Sequence, residues 1–114
     1  MKLLVVDDNA EMRRLIISIV RDLADEIAEC EDGVDALSAY REFQPDLVLM
    51  DLKMPQVDGI TASLQIISEF PKANICVVTD YSDKKTKEAA FSSGVSNYVV
   101  KENLYDIREI IERI

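Results

Sequence analysis

The chain contains no histidine and no tryptophan among its 114 residues, and only two cysteines, three glycines and three prolines. Without histidine it cannot carry a phosphohistidine of its own. Cys30 and Cys76 lie inside apolar runs and share no short metal-ligand spacing, so they read as small core residues. Basic residues are also scarce: 13 Lys and Arg stand against 22 Asp and Glu, for a formal net charge of −9. That sign argues against direct nucleic-acid binding, which needs a basic footprint. No stretch approaches the roughly 20 apolar residues of a membrane span. The apolar run after Met1-Lys2 is too short for a secretory signal, and a cytoplasmic location is expected. Repeats, low-complexity tracts and linkers are absent too. Residues 1–114 are expected to form one domain, with no output domain attached.

What is present is a set of short apolar runs, each stopping at a charged or hydroxyl residue. Leu3–Val6 ends at Asp7-Asp8, Leu47–Met50 at Asp51, Ile75–Val78 at Thr79 and Tyr98–Val100 at Lys101. Ile27–Cys30, less regular, ends at Glu31-Asp32. Between them, apolar residues at three-and-four spacing predict helices over 10–23, 33–43, 59–70, 84–93 and 104–114. Met12, Leu15, Ile16, Ile19, Val20 and Leu23 would form the buried face of the first, capped by Asp8 or Asn9. Ile60, Leu64, Ile67 and Phe70 would form that of the third. Pro45, Pro71 and Gly94 supply stops. Five strand–helix alternations with short connections imply an α/β fold, a doubly wound five-stranded parallel sheet with helices on both faces. Ligands then bind outside the carboxyl ends of the strands, where the terminal residues gather.

Those terminal residues carry a recognisable chemistry. Magnesium prefers oxygen ligands and usually takes one or two carboxylates together with phosphate oxygens. Asp7 and Asp8 facing Asp51 supply such a set, and like charges this close repel unless a cation intervenes. An Asp after a strand is often only a helix cap, but three at matching strand ends are hard to explain that way. Asp51 can also attack phosphorus to form an aspartyl phosphate. Lys101 would add positive charge beside the phosphoryl oxygens, and Thr79 a hydroxyl that donates to one of them and moves when it arrives.

The same residues make the chain resemble the receiver domain of two-component response regulators, over essentially its whole length. The resemblance rests on Val5-Val6-Asp7-Asp8-Asn9, on Glu31-Asp32-Gly33 followed by Ala36-Leu37, and on Pro45 through Pro55 leading to Asp58-Gly59. Thr79 and the stretch from Gly94 to Lys101 complete it. It implies a flavodoxin-like (receiver) fold with strand order 2-1-3-4-5. In that order three inter-strand gaps, about 14 Å, separate Cys30 from Cys76, too far for a disulfide.

The resemblance further implies that Asp51 accepts a phosphoryl group. Asp7 and Asp8 place magnesium, with Asp8 and Asp51 its direct ligands and the Lys53 carbonyl a third. Thr79 is then the switch hydroxyl, Lys101 pairs with the phosphate, and Tyr98 is the aromatic residue that turns inward. The implied partners are a sensor histidine kinase or phosphotransfer protein, and a downstream protein target or covalently linked output domain. The implied reader is the surface of the fourth helix, fifth strand and fifth helix, and a phosphorylation-dependent homodimer through that face is left open. The chain is then a regulator that catalyses only its own phosphorylation and dephosphorylation, not an enzyme acting on other substrates.

Two positions depart from the family pattern. Asp80 stands after the switch hydroxyl where a small residue is usual, so a carboxylate can crowd the phosphodonor or contact the metal. Glu102 replaces the proline that commonly follows the lysine, so a trans or differently shaped loop is expected there. Bulky Tyr81, with Lys53, is expected to shield the acyl phosphate from water. Three other classes stay on the table: a phosphate-independent binding module with Asp80 as its support, a phosphatase working through an aspartyl phosphate, and a flavodoxin-like electron carrier. The phosphatase would want an acid where Lys53 stands. The electron carrier would want hydroxyls where Asp7-Asp8-Asn9 stand.

Overall fold

Strand parity decides how the two faces of the sheet are covered. In the computed structural model, which describes residues 1–114, the strands are β1 (Lys2–Val6), β2 (Glu26–Cys30), β3 (Leu47–Met50), β4 (Ile75–Thr79) and β5 (Asn97–Val100). They form one parallel sheet in the order β2-β1-β3-β4-β5, as expected. Successive side chains of a strand point to opposite faces. Leu3, Val5, Leu47, Leu49, Cys76 and Val78 therefore share one core with α1 (Ala10–Val20) and α5 (Asp106–Glu112). Leu4, Val6, Val48, Met50, Ile75 and Val77 share the other with α2 (Ala36–Phe43), α3 (Gly59–Glu69) and α4 (Lys84–Ser92). The central strands are apolar on both faces because both are covered. No helix is long and apolar enough to cross a membrane.

Local chemistry sets the helix ends. Asn9, rather than Asp8, caps α1 by accepting the Met12 N–H at 3.0 Å. Asp58 and Asp83 cap α3 and α4, each accepting both the N–H and the hydroxyl of the threonine three residues on. Gln44, at φ 50°, takes the left-handed position that closes α2, one residue before Pro45. Gly94, at φ 101°, follows α4 as the predicted stop.

All five helices are shorter than their sequence patterns, α3 and α4 by a single residue. Residues 21–23, 33–35 and 101–103 form 3-10 turns, and α5 starts at Asp106, not Leu104. Leu64 is 48% exposed and Leu15 47%, although both belong to the predicted buried faces. In α3 the residues against the sheet are Gly59, Ala62, Ser63 and Ile66. Close approach to the strands takes small residues there and leaves Ile60 and Ile67 as half-buried flanks. Cys30 and Cys76 are free and buried, and burial pushes their thiols up to about 11 and about 12.

Candidate functional site

Register, more than any single residue, builds the site. Val6 pairs with Met50, so Asp7 and Asp51 leave adjacent strands side by side. The Asp51 N–H donates to the Val6 carbonyl at 2.9 Å, extending the ladder to the acid itself. Thr79 pairs with Val100, which sets Lys101 beside the end of β4. Asp7, Asp51 and Thr79 are buried, at 1%, 6% and 1% exposure. Asp8 is exposed and completes the rim.

Carboxylate oxygens of Asp7, Asp8 and Asp51 all lie within 4.8 Å of one another. Lys101 reaches across with its ammonium 3.1 Å from Asp7 Oδ2 and 3.4 Å from Asp51 Oδ1. Asp7 Oδ1 accepts the Asn9 N–H and Asp51 Oδ1 the Leu52 N–H, both at 2.9 Å. Asp7 Oδ2 is buried without a hydrogen bond of acceptable alignment, and Lys101 meets it only as an ion pair. One ammonium, paired with two of them, thus stands against a cluster of three carboxylates. A hard divalent cation with oxygen ligands fits what is missing: charge, and a partner for a buried oxygen.

The pKa shifts at the site agree with that deficit. Burial, then the negative charge of Asp7, pushes the Asp51 carboxyl up to about 6, against the pull of Lys101. Burial pulls Lys101 down, but Asp51 and Asp7, with Asp80 behind them, hold it above its ordinary value. A stability consequence follows for the metal-free chain. Below the unfolded carboxylate pKa of 3.8 Asp51 is protonated in both states and costs nothing. As pH rises toward about 6 the unfolded chain loses that proton first, so stability falls. Above that the penalty is complete, about 3 kcal/mol at most for a shift of roughly two pKa units. Asp51→Asn is therefore expected to stabilise the metal-free protein at pH 7 by about 1–3 kcal/mol. Urea titration should show that gain shrink toward nothing near pH 4, and shrink at pH 7 when magnesium is added.

The remaining predicted residues surround this centre. Thr79 Oγ1 accepts the Tyr81 N–H at 3.3 Å, and the Tyr98 hydroxyl donates to the Tyr81 carbonyl at 2.6 Å. Tyr98 thus reaches the segment that follows Thr79. The Lys53 ammonium stacks 5.1 Å above the Tyr81 ring. Both line a groove with Leu52, Met54, Ile60 and Thr86, beside the carboxylates rather than on them. Asp80 is exposed. All peptide bonds are trans, as expected where Glu102 stands in place of proline, and Lys101-Glu102-Asn103 form a 3-10 turn.

Two further residues hold the site, and the sequence pattern assigns neither of them to it. Arg13 donates from Nη1 to the Asp7 carbonyl at 2.6 Å and pairs with Glu29 at 2.9 Å. Its helical position alone gives no sign of this. In the sequence Asp32 is an acid ending a strand and part of a motif, nothing more. It is buried, and it accepts backbone N–H groups of Val34, Gln56 and Val57. Its neighbour Gly33 was the available signal, since a glycine beside an acid marks a close backbone approach.

The chain is similar to known proteins in sequence and in fold. The model of the response regulator receiver domain matches residues 3–114. A chemotaxis protein CheY of Listeria monocytogenes is 36% identical over 102 residues, covering 89% of this chain and 86% of that protein. A transcriptional regulatory protein, YhcZ, of Bacillus subtilis is 38% identical over 104 residues, 90% of this chain but 49% of that one. The chain therefore spans about half the length of the latter relative. Among solved structures, a LuxR-family two-component response regulator from Aurantimonas sp. SI85-9A1 is 30% identical with a TM-score of 0.91, covering 98% of this chain and 82% of that one. The response regulator domain of Thermotoga maritima CheB, at 24% identity and a TM-score of 0.89, matches in fold over 99% of this chain and 94% of its own.

Proposed function

The chain belongs to the response regulator receiver domain family of two-component signalling, and from that premise we propose that it is a switch phosphorylated on Asp51. The observation that carries the proposal is the buried Asp51 carboxylate, 3.4 Å from the Lys101 ammonium and clustered with Asp7 and Asp8. One Asp51 oxygen bonds to phosphorus while the bond from phosphorus to the donor's nitrogen or oxygen breaks. The donor leaves with that electron pair. Magnesium, when bound, neutralises the phosphoryl oxygens; the carboxylates of Asp7, Asp8 and Asp51 and the Lys53 carbonyl would hold it.

Lys101 follows the charge. Bound to two carboxylates at rest, it turns toward the phosphoryl oxygens once Asp51 is phosphorylated. Thr79 donates its hydroxyl to one of those oxygens, and its hydrogen bond from the Tyr81 N–H makes the following segment move with it. Tyr98, tied by its hydroxyl to the Tyr81 carbonyl, carries that displacement to β5 and the adjoining faces of α4 and α5. Tyr81, held under Lys53, screens the acyl phosphate from attacking water. The donor is a sensor histidine kinase or phosphotransfer protein. The reader is a downstream protein or a linked output domain, and a homodimer formed on phosphorylation is a further form of output. The domain 1–114 itself binds neither nucleic acid nor membrane in this scheme.

Incubation with acetyl phosphate and magnesium is expected to add a single phosphoryl group by intact mass. The label should vanish without magnesium and in Asp51→Asn. Absence of label with acetyl phosphate and also with phosphoramidate, which presents a phosphorus–nitrogen bond, would overturn the switch and favour a phosphate-independent binding module.

A further inference from the structure

Asp32 lies outside the carboxylate cluster, yet it is only 4% exposed and fully engaged. Its Oδ1 accepts the N–H groups of Val34 at 3.0 Å and Val57 at 2.9 Å, and its Oδ2 that of Gln56 at 3.0 Å. Burial raises its pKa, but these backbone donors outweigh that and hold the carboxyl below its usual range. The first of these bonds is local, a cap on the 3-10 turn at 33–35. The other two cross from the loop after β2 to the loop after β3. Gly33 reinforces the crossing, because a Cβ there would stand 2.4 Å from the Val57 carbonyl oxygen. At its other end the same loop is closed by the Gly59 N–H, which donates to the Leu52 carbonyl at 2.8 Å. Lys53, Met54 and Pro55 span the interval between these two fastenings.

We propose that Asp32 is a positioning residue for the cation: it holds the loop after β3 so that the Lys53 carbonyl is presented to magnesium beside Asp8 and Asp51. This rests on the switch reading above and adds to it a residue that touches neither the cation nor the phosphoryl group. A short loop joined to the sheet only at its ends must lose conformational freedom when a cation arrives. Two hydrogen bonds donated to a buried, charged acceptor remove that freedom beforehand, and such supporting contacts behind a metal site typically govern affinity by about 10–100-fold.

The test is magnesium titration of the full chain by calorimetry, for the wild type, Asp32→Asn and Asp32→Ala, alongside the rate of labelling by acetyl phosphate against magnesium concentration. Asp32→Ala is expected to weaken magnesium binding about tenfold. Asp32→Asn is expected to weaken it by about threefold, since its amide oxygen still accepts from Val34 and Val57 while its NH2 group faces the Gln56 N–H. Labelling rates at saturating magnesium should return to within about twofold of wild type, as expected when only binding has been weakened. A purely structural role for Asp32 would lower thermal stability and leave magnesium affinity unchanged, and that result overturns the proposal. If Asp32→Ala does not fold, Asp32→Asn decides alone: unchanged affinity overturns it. A wild type that neither binds magnesium nor takes label removes the switch reading and this proposal together. A normal wild type beside equally tight variants removes this proposal only.

Discussion

Lys101→Ala should slow phosphoryl gain from acetyl phosphate by about 10²–10³-fold at saturating magnesium, the usual loss when a preorganised charge at a developing anion is removed. The Lys101 side chain is 12% exposed and its ammonium stands 3.1 Å from Asp7 and 3.4 Å from Asp51. Water cannot replace it readily at that depth, and its charge cannot be borrowed from elsewhere. Arg13 meets only the backbone carbonyl of Asp7 and is already paired with Glu29. Lys101→Arg should recover part of the rate at best, because a planar guanidinium distributes its donors differently from an ammonium point charge. Time courses by intact mass, with magnesium titrated separately for each variant, distinguish a lost transition-state contact from lost cation binding. A Lys101→Ala rate within threefold of wild type would remove Lys101 from the chemistry.

Lys101 was legible in the sequence for a reason that applies to the whole site. In a parallel sheet, runs of matched length end at one edge, so the residue after each run is placed before any tertiary detail is known. Asp7, Asp51, Thr79 and Lys101 follow from this alone, and the pairing of Thr79 with Val100 is its direct expression. Other features depend on contacts between segments that no local pattern encodes. Leu64 sits at helical spacing from Ile60 and Ile67, yet the sheet chose the neighbouring stripe of Gly59, Ala62 and Ser63. Asp32 looks like any acid ending a strand until residues 56 and 57 come within reach of it. The Tyr98 hydroxyl finds the Tyr81 carbonyl only because β4 and β5 are neighbours and the segment after Thr79 turns back over them.

Gly59→Ala should cost about 3 kcal/mol or more of stability, at or beyond the upper end of overpacking penalties. Helix propensity alone predicts the opposite sign. Gly59 opens α3 without a left-handed backbone, and alanine in a helix is worth about 1 kcal/mol over glycine. The decisive fact is space. A Cβ on residue 59 would fall 2.0 Å from the Asp51 carbonyl oxygen and 2.9 Å from the Asp51 carbonyl carbon and Leu52 Cα, all of them backbone atoms. No rotamer change relieves such a contact. Either α3 lifts, opening a core in which Ala62 and Ile66 are fully buried, or the Asp51–Leu52 peptide shifts and turns the Asp51 carboxylate away from Lys101. Urea denaturation midpoints measure the first response, and magnesium-dependent labelling of the folded fraction the second. A variant that keeps its stability but loses the label would mean the strain was taken up at Asp51 alone. A variant that keeps both would show that α3 and β3 are not in the close contact on which the placement of Asp51 depends.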